Sequence, residues 1–149
     1  MDADKQRRLI TETETLSLLE STGPELQAAD EILVPVGGVL LDGLLQAGTF
    51  VKLVKHDQLK SATLAIEGEP ACVLFYSTNG LGWLTIEGAA ALKPSPLKTI
   101  FRGVDALAKH LSAPVVVLVT RFAALMRAAT SAGYKPGGVI LMKGAYVEC

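Results

Sequence analysis

The stretch LKTIFRGVDALAKHL, residues 97–111, is the clearest secondary-structure element of the sequence. Apolar residues recur in it every three or four positions, and this spacing predicts an amphipathic helix with one buried face. The pair Ser95-Pro96 precedes the stretch and predicts a helix start, with Ser95 as the N-cap residue and proline at the first helical position. The opposite face of the predicted helix is charged, with Lys98, Arg102, Asp105 and Lys109.

Three short apolar runs precede this helix and predict an antiparallel meander. The predicted strands are residues 61–66, 71–77 and 82–87. Glu67-Gly68-Glu69-Pro70 predicts the first turn, and Asn79-Gly80 predicts a hairpin because both residues tolerate positive φ. The three strands therefore lead directly into the helix.

The residues after the helix predict a strand, a second helix and a closing strand. Residues 115–119 contain no polar side chain, which is typical of a strand covered on both faces. A helix is predicted from Arg121 to about Ala132, capped by Thr120 and ended by Gly133 at C′. Residues 139–142 predict the last strand. The inner face of the second helix is predicted to carry Phe122, Leu125, Met126 and Ala129.

The first third of the chain gives weaker signals. Residues 1–30 are polar and are interpreted as an extension, packed on the domain or serving as an arm that contacts a partner. A weak helix before residue 20 and a short one at residues 24–30 are expected within it. The remaining residues, 31–149, are predicted to form a single domain. Its first elements are a buried strand at residues 31–36, a helix at residues 39–46, and an ambiguous segment at residues 50–54.

Composition excludes several classes of protein. The 149 residues are half apolar and 19% charged, and the net charge of −1 gives no electrostatic reason to expect nucleic-acid binding. Two cysteines and two histidines give neither a disulfide framework nor a metal site. The apolar segment 32–54 contains Pro35, Asp42 and four glycines, so no membrane span is expected. Because the N-terminus is polar, we also expect no signal peptide and a cytoplasmic location.

From residue 61 to residue 143, the order of elements resembles the GNAT-type N-acetyltransferases. The motifs that carry the resemblance are Val-Val-Val-Leu-Val-Thr at residues 115–120 and Ala-Gly-Tyr-Lys-Pro-Gly-Gly-Val-Ile-Leu-Met-Lys at residues 132–143. The resemblance implies an α+β fold with a mixed sheet between two helical layers, α/β/α. In that family acetyl-CoA lies between two central parallel strands, with its pyrophosphate at the N-terminus of the helix that follows the fourth strand.

The cofactor motif of that family is not matched. Its phosphate loop is rich in glycine, whereas the corresponding residues 88–98 have no glycine after Gly88. Pro94 and Pro96 also remove two backbone donors from the loop. The asparagine and tyrosine that the family often uses would fall near Phe122 and Ala129, and neither of these side chains donates a proton.

Two functions from different classes therefore remain open. Short, motif-poor GNAT-like proteins of tailed bacteriophages resemble this chain most, which implies a non-catalytic component without cofactor. Its partner would be a virion protein or a second copy, in the host cytoplasm or the virion. The alternative is an acetyl-CoA-dependent N-acetyltransferase with Glu87 as base and Tyr134 as acid. If the protein is not an acetyltransferase, Glu87 is expected to be a solvent-exposed residue at the end of a strand, and Tyr134 a packed aromatic residue. The cofactor-binding residues of the alternative are Lys93, Ser95, Leu97 and Lys98.

Overall fold

The computed structural model of the chain describes residues 9–12, 16–35, 46–118 and 123–137. The predicted strand at residues 139–142 and most of the predicted helix at residues 39–46 lie outside them. The described elements, in chain order, are β1 (Leu9–Glu12), β2 (Leu16–Leu19), α1 (Gly23–Leu33), α2 (Thr49–Lys55), β3 (Lys60–Ile66), β4 (Glu69–Thr78), β5 (Leu84–Ala91), α3 (Leu97–His110), β6 (Val116–Leu118) and α4 (Ala123–Ser131).

The strands form one mixed sheet. They lie in the order β1-β2-β3-β4-β5-β6, and every neighbouring pair is antiparallel except β5 and β6, which are parallel. The predicted meander is confirmed as β3, β4 and β5, although β4 and β5 are longer than predicted. A parallel pair needs a long crossover connection, and α3 supplies it here.

Two hydrophobic clusters cover the two faces of this sheet. The first joins the sheet to Val104, Leu107 and Ala108 of α3. The second joins Val73, Phe75 and Ala90 to residues of α1 and α2, including Phe50, whose ring centroid lies 5.0 Å from that of Phe75. The sheet is therefore the middle layer of an α/β/α arrangement, and the predicted fold class is confirmed.

One extra residue interrupts β5. Phe75 of β4 pairs with Gly88, whereas the next residue, Tyr76, pairs with Ile86, so Glu87 is left over as a β-bulge. The bulge exchanges the two faces of the strand: Ile86 lies in the cluster under α3, but Ala90 lies in the cluster under α1 and α2. Gly88 faces α1, since a Cβ atom there would lie 3.1 Å from Leu33 Cδ1.

The predicted amphipathic helix is confirmed as α3, and it lies close to the sheet at Gly103. A Cβ atom at Gly103 would lie 2.8 Å from Cδ2 of the fully buried Leu64. The predicted N-cap is wrong, because the helix begins one residue later. Pro96 is the N-cap residue and makes no side-chain cap bond, while Ser95 Oγ donates to Lys93 O over 3.1 Å.

The interpretation of residues 1–30 as an extension is wrong for the part that the structure describes. β2 pairs with β3 along its whole length, and Leu16 and Leu18 are buried in the cluster under α3. Strands replace the weak helix because burial alternates along Leu16–Leu19, with Leu16 and Leu18 buried and the residues that follow each of them only partly buried, which matches the two-residue period of a sheet. The predicted domain boundary at residue 30 also falls inside α1.

The helix α1 extends further than predicted, and the predicted strand at residues 31–36 is wrong because residues 31–33 form its last turn. Asp30 explains the local geometry. Its carboxylate is buried and accepts hydrogen bonds from the amides of Gly48 (2.7 Å) and Phe50 (2.8 Å). These bonds fix the start of α2, which makes the ambiguous segment at residues 50–54 helical.

The described C-terminal elements agree with the predicted order. α4 begins and ends close to its predicted limits, and Gly133 follows it with a φ of +98°, as the C′ position requires. Two details differ from the sequence-based expectation: Met126 is 46% exposed rather than inward-facing, and β6 is only partly buried. None of the helices described is long and apolar enough to span a bilayer.

Candidate functional site

The candidate site lies at the bulge of β5, next to the parallel pairing of β5 with β6. The described pairing reaches Ile86 of β5 and Leu118, the last described residue of β6, and the bulge at Glu87 follows directly. We call the bulge and this last described pair the strand fork. Ligands of open sheets commonly bind beyond the carboxyl ends of parallel strands, at a point where the connection changes direction. Here the bulge and the loop that leads to α3 lie at that end of β5.

Glu87 stands at the strand fork on the bulge itself. Its side chain is exposed, and its Oε1 accepts a hydrogen bond of 2.9 Å from Ser77 Oγ on β4. Ser77 lies two residues after Phe75 and therefore shares the sheet face covered by α1 and α2. The hydrogen bond consequently holds the Glu87 carboxylate toward that face.

The opposite face of β5 beyond the bulge is open and lined by small residues. Ala89 and Ala91 are exposed, and they pair with Leu74 and Cys72, whose side chains belong to the cluster under α3. The methyl groups occupy little of this surface. An extended ligand could therefore lie along β5 on the α3 side, beginning two residues after Glu87.

The loop between β5 and α3 is held at its start by backbone hydrogen bonds, and it carries a charged residue, Lys93. The amides of Leu92 and Lys93 both donate to Ala71 O, over 2.8 and 3.4 Å. Lys93 Nζ lies 2.9 Å from Glu69 Oε2, and this ammonium group lowers the pKa of Glu69 through the hydrogen bond and its charge. Lys93 is therefore already paired in this structure.

The first turn of α3 offers two further donors to this loop. The amides of Thr99 and Ile100 donate to Pro96 O, so they are satisfied inside the turn. The amides of Leu97 and Lys98, at the first two helical positions, have no backbone acceptor within the described residues, and both side chains are exposed. Anionic groups are favoured at such a position by the partial positive charge of the helix.

Tyr134 packs between α3 and the end of α4. Its ring centroid is 5.5 Å from that of Phe101, and its amide donates to Ala129 O at the end of α4. Burial and the nearby charge of Asp105 raise the pKa of Tyr134. Among the residues that the structure describes, Tyr134 makes no hydrogen bond to Glu87, so the two predicted catalytic residues do not form a pair.

The predicted site residues thus divide into separate groups. Lys93, Ser95, Leu97 and Lys98 share one loop and helix start, Glu87 stands on the bulge, and Tyr134 packs on α3. Sequence reasoning did not find Ser77, because its link to Glu87 depends on a strand register that no local pattern encodes. Within the described residues, no three side chains of the kinds that bind metals are grouped to hold an ion.

Comparison with protein-family models and with curated proteins gave no match. Solved structures do match the fold. A possible acetyltransferase from Clostridium difficile 630 superimposes with a TM-score of 0.58 at 14% identity, over 91% of this chain and 100% of the other. RimL, the ribosomal L7/L12 alpha-N-protein acetyltransferase, does so with a TM-score of 0.60 at 13% identity, over 95% of this chain and 90% of the other. Neither match supports the predicted resemblance to phage proteins. The chain has the fold of the GNAT-type acetyltransferases.

Proposed function

We propose that this protein transfers an acetyl group from acetyl-CoA to an amine, with the strand fork as the reaction centre. The observation that carries the proposal is an exposed carboxylate, Glu87, on the bulge of β5 next to the parallel pairing of β5 with β6, in a chain that shares the fold of acetyltransferases. The proposal adopts the second of the two functions that the sequence left open.

The reaction needs a base and an attacking nitrogen on one side of the thioester. An amine reaches the site as an ammonium ion, and Glu87 takes its proton, directly or through a water molecule. The free amine forms a bond to the thioester carbonyl carbon. The carbon–sulfur bond then breaks, the nitrogen gives up a second proton to water, and the departing thiolate takes up a proton from water to leave as CoA thiol. The products are the acetylated amine and CoA, with the proton on Glu87 released to solvent.

Acetyl-CoA would bind to these residues without the glycine-rich loop of the family. The extended part of the molecule would lie along β5 over Ala89 and Ala91, whose small side chains leave that surface open. Its phosphates would meet the amides of Leu97 and Lys98 and the ammonium groups of Lys93 and Lys98. Lysine side chains bind phosphate as point charges. They would take over part of the role that a glycine-rich loop has in the family.

Tyr134 contributes less to this proposal than Glu87 does. Burial and the charge of Asp105 raise the pKa of Tyr134 and so make it a weaker acid, and its ring packs on Phe101 rather than at Glu87. CoA thiol is acidic enough to leave as thiolate and to take its proton from water. We therefore expect Tyr134 to support α3 and α4, and we assign the reaction to Glu87.

The decisive experiment measures acetyl-CoA binding by calorimetry and then acetylation of amine acceptors. We expect wild-type protein to bind acetyl-CoA, and Glu87→Gln to retain that binding while kcat falls about 10²- to 10⁴-fold, the usual contribution of a general base. Glu67→Gln is the matched control, because Glu67 is an exposed glutamate in the β3–β4 turn. Equal loss of activity in both variants would contradict the assignment of Glu87.

A second candidate function is a non-catalytic protein-binding component with the same fold. Pro94 and Pro96 favour it, since they remove donors from the loop where phosphates would bind. It predicts a folded protein that binds neither acetyl-CoA nor CoA at millimolar concentration. That result would replace the acetyltransferase proposal with this one.

A further inference from the structure

We propose that Ser77 is the positioning residue for Glu87, holding its carboxylate in the one orientation in which it can accept a proton from the acceptor amine. This inference rests on the proposed acetyltransferase function and adds to it a residue of a neighbouring strand. It follows from three features: the bulge, the hydrogen bond and the face on which the two side chains meet.

The bulge makes Glu87 a poorly constrained residue by itself. A bulge residue has no partner residue on the neighbouring strand. The alternation of the strand therefore does not fix the direction of its side chain, as it does for regularly paired residues. Glu87 is also exposed, which leaves its side chain without packing. A catalytic base in such a place needs some other contact, because small errors of placement cost much of the rate.

Ser77 supplies that contact from a rigid element. It lies near the end of β4, which has a partner strand on each side, and its hydroxyl donates to Glu87 Oε1 over 2.9 Å. The hydroxyl thereby engages one carboxylate oxygen. The second oxygen, Oε2, makes no hydrogen bond within the described residues and can receive the proton.

The position of Ser77 and Glu87 on the sheet agrees with these two roles of the carboxylate oxygens. Ser77 shares its face with Phe75, in the cluster covered by α1 and α2, whereas Ala89 and Ala91 lie on the α3 side. The carboxylate and the proposed path of acetyl-CoA are thus on opposite faces of β5. An amine at Glu87 would therefore approach the thioester from the side of α1 and α2 and would not compete with CoA for one surface.

The test is Ser77→Ala, examined by steady-state kinetics at saturating acetyl-CoA. We expect kcat to fall about tenfold, because a hydrogen bond to a charged group is lost, while the KM values for acetyl-CoA and acceptor stay within about twofold. Ser77→Thr keeps the hydroxyl at the same position and should restore most of kcat. In the Glu87→Gln background, Ser77→Ala should have little further effect, since the two residues act as a unit.

The matched control is Thr78→Ala, which removes an exposed hydroxyl from the next position of β4, on the other face of the sheet. It should leave kcat within about twofold of wild type. Melting temperatures within a few degrees would show that all variants fold. Unchanged kcat in Ser77→Ala, or a rise in acceptor KM at constant kcat, would overturn the positioning role. Absence of activity in wild-type protein would overturn the proposed function as well, and the two failures are thereby distinguished.

Discussion

Replacing Asp30 by alanine should remove the anchor of α2 and destabilise the protein strongly. The carboxylate is 1% exposed and accepts two backbone hydrogen bonds, from Gly48 at 2.7 Å and Phe50 at 2.8 Å. A hydrogen bond to a charged group contributes about 1.5–3 kcal/mol. Two such bonds set an upper limit of about 6 kcal/mol, and part of it is returned because no charge remains buried. We therefore expect the free energy of unfolding to fall by about 3 kcal/mol.

The measurement is urea denaturation of wild type, Asp30→Ala and Asp30→Asn. Asparagine keeps the shape and one acceptor oxygen, so its loss of stability should be about half as large. Glu31→Ala serves as the control, since Glu31 is the next residue of α1 and is exposed; its effect should stay within about 0.5 kcal/mol, as is usual for surface sites. If Asp30→Ala were as stable as Glu31→Ala, the carboxylate would not be the anchor of α2.

The consequence extends to the candidate site, because α2 carries Phe50. A Cβ atom at Gly88 would lie 3.8 Å from Phe50 Cε1, so the ring of Phe50 covers the residue directly after Glu87. The same ring packs on Phe75. Asp30 thus supports the bulge indirectly, through the helix start that it fixes.

Two further predictions concern charge and pH. Burial raises the pKa of Cys72 to about 12 from an ordinary value of 9.0, so above pH 9 the unfolded chain loses the thiol proton first and stability falls as pH rises. The free energy of unfolding should fall by at most about 1.4 kcal/mol per pH unit because of this thiol. Denaturation curves recorded between pH 8 and 11 in a Cys149→Ser background measure the fall, and Cys72→Ala should abolish the part that is due to Cys72. Glu69→Gln should free Lys93 and tighten CoA binding a few-fold at low salt, with the gain shrinking as salt rises; equal affinities by calorimetry would show that Lys93 does not reach the phosphates.

The parts of the fold that the sequence predicted best depend on nearby residues. The periodicity of α3 is complete within its own stretch, and the turn signals Glu67-Gly68 and Asn79-Gly80 separate the strands of the meander. These signals act over a few residues. They consequently predicted the order of β3, β4, β5 and α3 without knowledge of the tertiary contacts between these elements.

The parts that were missed depend on contacts distant in sequence. Asp30 looks like a surface residue of a polar segment until the loop before α2 meets its carboxylate, and Leu16 looks isolated until β2 pairs with β3. The bulge is invisible for the same reason: Glu87 ends an ordinary apolar run, and only the pairing of Phe75 with Gly88 shows the extra residue. Sequence reasoning therefore found Glu87 as a candidate base but not the residue that orients it.

The bulge at Glu87 connects fold and proposed function by exchanging the two faces of β5. Before it, Leu84 and Ile86 pack under α3; after it, Ala90 packs under α1 and α2. If Glu87 were instead paired in a regular ladder, Ala89 would point away from α3, and the open surface proposed for acetyl-CoA would not exist on that side. The same extra residue supplies the exposed carboxylate. Deleting Glu87 would join Ile86 directly to Gly88, so the pairs Tyr76–Ile86 and Phe75–Gly88 and the faces of β5 could stay as they are. Replacing the Glu87 side chain therefore tests the carboxylate alone, whereas deleting the residue removes the carboxylate and the bulge together.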